Sequence, residues 1–81
     1  MGKNAKVINE IIDKCEAYGF TKTETHVICL LSGSTDSARQ YGSTSASYQK
    51  TLEILSEYST FADVITQIEN GLGFDTSDLT E

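Results

Sequence analysis

Thr35-Asp36-Ser37-Ala38-Arg39-Gln40-Tyr41-Gly42-Ser43-Thr44-Ser45-Ala46-Ser47-Tyr48 is the stretch on which the fold turns. Residues 32–47 hold eight Ser or Thr in sixteen positions, which taken alone reads as a loop. A second reading finds helices in it. Thr35 can cap a short helix over residues 36–41, and Gly42 can stop it by taking positive φ. Thr44 or Ser45 can then cap a helix over about 46–58. That helix would bury Tyr48, Leu52, Leu55 and Ile54 and expose Glu53 and Glu57. Ala38 is small where two helices must touch, and Gly42 follows four residues later. This is the arrangement of a helix-turn-helix.

Upstream, residues 4–18 read as an amphipathic helix. Ala5, Ile8, Ile12 and Cys15 recur at helical spacing, and Val7, Ile11 and Tyr18 widen the stripe. Asn4 can cap its start and Gly19 can end it. So broad a stripe could cover a core or meet a second copy of the chain. The self-association face it offers is Val7, Ile8, Ile11 and Ile12. Thr21 with Glu24 three residues later forms a capping box, which predicts a helix over about 22–32 burying Val27, Ile28, Leu30 and Leu31. The apolar run at 26–31 could also be a strand, and the capping box favours helix. Gly33 ends the element. Downstream, Ser59 or Thr60 opens a last helix through about Asn70, with Phe61, Val64, Ile65 and Ile68 inward. Asn70-Gly71 stops it, Leu72 and Phe74 fold back on the core, and residues 75–81 form an acidic, flexible tail. The expected fold is all-α. It is a small bundle of four to five short helices with a helix-turn-helix-like centre, in one domain over 1–74.

An 81-residue chain makes one small domain of marginal stability, which rules out a multidomain enzyme and disfavours a deep active-site cleft. The net charge is −6 and unevenly spread. Residues 1–23 carry four lysines against three acids; residues 24–81 carry Arg39 and Lys50 against nine. Such a surface repels phosphate backbones and favours basic partners. Cys15, Cys29 and the single histidine, His26, cannot close a four-coordinate zinc site, so no metal or cofactor is expected. Both cysteines fall in apolar patterns and read as buried free thiols, which suits a reducing cytoplasm. The longest apolar run, 27–31, is too short for a membrane span or a signal peptide core, and Lys6 breaks the myristoylation pattern. None of the nine serines sits in a nucleophile elbow, and Gly71-Leu72-Gly73 lacks the strand and helix of a phosphate loop. The sequence therefore carries no catalytic residues, and no enzyme is expected.

Phe20-Thr21-Lys22-Thr23-Glu24-Thr25-His26-Val27-Ile28-Cys29-Leu30-Leu31 resembles the opening of the LuxR/GerE-type DNA-binding domain. Ala38-Arg39-Gln40-Tyr41-Gly42 is similar to that family's second helix and turn. Residues 63–74, Asp63-Val64-Ile65-Thr66-Gln67-Ile68-Glu69-Asn70-Gly71-Leu72-Gly73-Phe74, look like its closing helix. The resemblance covers about 20–74. It implies that residues 46–58 form the recognition helix, with Arg39, Ser45, Ser47, Gln49 and Lys50 facing DNA. Three departures stand against it. The first link is one or two residues short. Ser37 is polar where the family packs an apolar side chain. The would-be recognition helix holds one cation, Lys50, against Glu53 and Glu57.

Two functions follow in order. The first is a small acidic regulatory or inhibitory protein that acts by protein–protein binding, of the kind phages and mobile elements encode against host systems. Its partner would be a host or regulatory protein, with DNA binding weak or absent, no membrane, and a homodimer as its own state. The alternative is a helix-turn-helix transcriptional regulator.

Overall fold

The computed structural model describes residues 4–72, and within them the chain is helical with no strand. The helices are α1 (Ala5–Ala17), α2 (Lys22–Ser32), α3 (Thr35–Tyr41), α4 (Thr44–Glu57) and α5 (Phe61–Leu72). The all-α bundle read from the sequence is the fold observed, and the 26–31 run is helix. The expected return of Leu72 and Phe74 onto the core, and the 75–81 tail, lie outside what the structure describes.

Local chemistry sets each boundary. Val7, Ile11 and Cys15, at i, i+4 and i+8, are the buried line of α1. Asn4 precedes the helix but its side chain makes no capping bond. At the other end Gly19 takes φ +81°. Its amide donates to the Glu16 carbonyl (3.0 Å) and that of Phe20 to the Cys15 carbonyl (3.0 Å), so two end carbonyls are satisfied. The capping box of α2 is present. The Glu24 amide donates to Thr21 Oγ1 (3.0 Å) and the Thr21 amide to Glu24 Oε1 (2.9 Å).

The caps of α3 and α4 lie one or two residues upstream of the expected ones. Ser34, not Thr35, accepts from the Ser37 amide (3.1 Å), and Ser43, not Thr44 or Ser45, accepts from the Ala46 amide (3.1 Å). Both caps are extended, which leaves Thr35 and Thr44 as the first helical residues. Gly42 between them is left-handed, φ +83°, and an added Cβ would meet nothing within 4 Å. Glycine is needed there for backbone conformation alone. Gly42→Ala should therefore cost about 1–2 kcal/mol of unfolding free energy in urea, and Gly42→Asn less. Gly33 differs. It follows α2 at φ −100°, and a Cβ there would strike the Tyr48 hydroxyl. Helix α5 runs through Asn70-Gly71 rather than stopping there, with the Thr60 hydroxyl donating to Asp63 (2.7 Å) at its start.

Helix α4 packs against each of the other four. The core is Ile11, Cys15, Ile28, Leu31, Ile54, Leu55, Val64, Ile65 and Ile68. Tyr48, Leu52, Tyr41 and Phe61 are half-buried at its edge. Leu30, expected inside, is 52% exposed. On a helical wheel it stands about 160° round from Ile28 and about 100° from Leu31, close to the line of exposed His26.

Candidate functional site

The centre of the bundle, where α2, α3 and α4 meet, is held by hydroxyls. Ser32, Ser37, Ser47 and Thr51 are all fully buried. Ser37 donates to the Leu31 carbonyl, and Ser47 to the carbonyls of Ser32 and Thr44. Ser32 and Thr51 share a bond of 2.6 Å, and Ser32 also donates to the Ile28 carbonyl (2.7 Å). Among the described residues no buried side-chain polar atom lacks a partner. Small polar side chains let α2, α3 and α4 approach closely while each buried hydroxyl keeps a hydrogen-bond partner.

This network corrects one expectation. Ser47, assigned to a DNA-facing surface, points into the bundle with no exposure. The other four candidates are accessible but divided. Ser45 and Gln49 are exposed and line a shallow concavity of about 260 Å³ with Lys6, Val7 and Glu10 of α1. Helix α1 thus runs alongside α4 in the same direction, Lys6 at one end and Tyr18, which donates to the Leu55 carbonyl, at the other. Lys50 is half-buried on another flank. There it lines a cavity of about 440 Å³ between α4 and α5 with Glu53, Glu57, Gln67 and Asn70. Arg39, exposed, pairs with Asp36 at 2.7 Å. Between two solvated side chains such a pair contributes little stability. The exposed arc of α4 is Ser45, Gln49, Glu53, Ser56 and Glu57. It runs from neutral to acidic along the helix.

The self-association face is also corrected. Val7 and Ile11 are buried inside the bundle. Ile8 and Ile12 are half-buried and form one wall of an apolar groove of about 450 Å³ between α1 and α2. Phe20 and Cys29 continue it, with Glu16 on the α1 side and Lys22 and His26 on the α2 side. The sequence does not set this groove apart, because the α1 stripe is broad enough to look like a single surface. Residues 7, 11 and 15 form one line at i+4 spacing and 8, 12 and 16 the next, and only the first faces the core.

Both thiols are free. Among the described residues no group of three or more His, Cys, Asp or Glu could hold a metal. No helix among them is long and apolar enough to cross a membrane. Burial pushes the Cys15 thiol from 9.0 up to about 11, against a hydrogen bond with Thr25 that lowers it. Burial raises Cys29 as well. A thiol raised in the folded state contributes stability that is whole below pH 9 and lost as pH climbs toward 11. Urea unfolding should show a loss of about 2–3 kcal/mol between pH 8.5 and pH 11 from Cys15, absent from Cys15→Ala when the two are compared.

No family model matches this chain, and neither a curated protein nor a solved structure does.

Proposed function

We propose that this chain is a small acidic regulatory or inhibitory protein that works by binding another protein, and that the outer face of α4 meets a basic patch on that partner. The observation that carries the reading is the charge of α4. The helix stands where a recognition helix would, yet its exposed arc presents Glu53 and Glu57, and its one cation, Lys50, lines a cavity beside both of them. Lys6, the α1 lysine beside Ser45 and Gln49, arrives together with Glu10. Phosphate contacts supply much of the affinity of a DNA-binding domain, and this face offers carboxylates instead. A catalytic role has less support. The thiol near His26 in the groove, Cys29, is raised by burial, whereas a nucleophilic thiol needs the opposite shift.

One observation favours the alternative of a DNA-binding regulator: the α3–Gly42–α4 turn leaves Arg39, Ser45 and Gln49 accessible. Titration with mixed duplex DNA at low and moderate salt separates the two. The expected result is no sub-micromolar binding. Sub-micromolar affinity with a steep salt slope, lost on Arg39→Ala or Lys50→Ala, would overturn the protein-binding reading.

A further inference from the structure

We infer that the groove between α1 and α2 seats a second copy of this chain across a twofold axis. A twofold contact puts one patch against itself, so that patch must be complementary to itself in shape and in charge. This patch is both. Its hole is the groove walled by Ile8 and Ile12. Its knob is Leu30, 52% exposed, which follows Cys29 and stands one helical turn beyond His26, the two α2 residues at that end of the groove lining. A lone exposed leucine means little, but one bordering an apolar groove extends a single apolar surface. The charges follow the same rule. The α1 side carries Glu16 and the α2 side Lys22. A twofold axis that lays the α1 side of one protomer on the α2 side of the other sets Glu16 opposite Lys22 twice. A partner of one sign would leave one side of the groove facing its own charge. The apolar area covered would also supplement a core of nine buried residues among those described. The groove shares no residue with the outer arc of α4, so either surface can fail its test without the other.

The test is sedimentation equilibrium of the full chain, from low to high micromolar, with thermal melts as the control for folding. The wild type should dimerise, and Leu30→Asp, at an exposed position, should remain folded and monomeric. Glu16→Lys and Lys22→Glu should each weaken dimerisation about tenfold, because each homodimer then sets like charges together twice. Mixing those two variants should restore association, because each altered side chain meets its opposite in the other chain. Alkylation of Cys29, on the groove, should slow as protein concentration rises. A monomeric wild type at high micromolar concentration would overturn the inference. So would a dimer unmoved by Leu30→Asp, or a mixture that associates no better than its components.

Discussion

Ser47→Leu should destabilise the protein by about 2–5 kcal/mol, while Ser45→Leu, two residues away on the same helix, should stay within about 0.5 kcal/mol of wild type. The two serines differ only in the direction they face. Ser45 is exposed; Ser47 is fully buried and donates to the Ser32 carbonyl at the α2–α4 contact. Leucine at 47 removes that donor, leaving a buried carbonyl without its partner, at about 1–3 kcal/mol. It also forces a larger side chain between closely packed helices, for about 1–3 kcal/mol more. A chain of this length has a total stability of about 4–12 kcal/mol, so the variant should unfold at markedly lower urea. Ser47→Ala, which loses only the bond, should fall between. Equal urea midpoints for Ser45→Leu and Ser47→Leu would show that the hydroxyl network does not hold the centre together.

That network is also where sequence reading stopped short. Helix signals that depend on neighbours along the chain were legible. The Thr21–Glu24 box placed α2 at its observed bounds, and Gly19 and Gly42 marked two ends by their left-handed backbone. What depends on other helices was not. Ser37 looks like a polar residue in an apolar seat, but the Leu31 carbonyl at the end of α2 and the Ser34 hydroxyl ahead of α3 make a buried serine inexpensive there. A signal was present. Ser47, Thr51 and Leu55 follow one another at i+4 spacing, so the apolar line of α4 begins as hydroxyls. Composition hides this, because a serine on an inward line and one on an outward line count alike. The halved self-association face has the same cause, since only packing decides which of two adjacent apolar lines the core takes.

Electrostatics at the site follow from placement too, and they set the second large effect expected. The double variant Glu53→Lys, Glu57→Lys should bind mixed duplex DNA at least about tenfold more tightly than the wild type at low salt. Both positions are exposed on α4, so the fold should tolerate the change to within about 0.5 kcal/mol each. The net charge rises by four, from −6 to −2. More decisively, the cations gather beside Lys50, on the helix that would enter a groove of DNA. Two or three phosphates neutralised together give a salt slope of about −2 to −3, against almost none for the wild type. The same change should abolish binding to a basic protein partner, because like charges then face each other across the contact. If the variant gains no affinity for duplex, the carboxylates are not what keeps this helix off DNA. The shape of the centre would then be at fault, with α1 lying along α4 beside Ser45 and Gln49, where a major groove would have to fit.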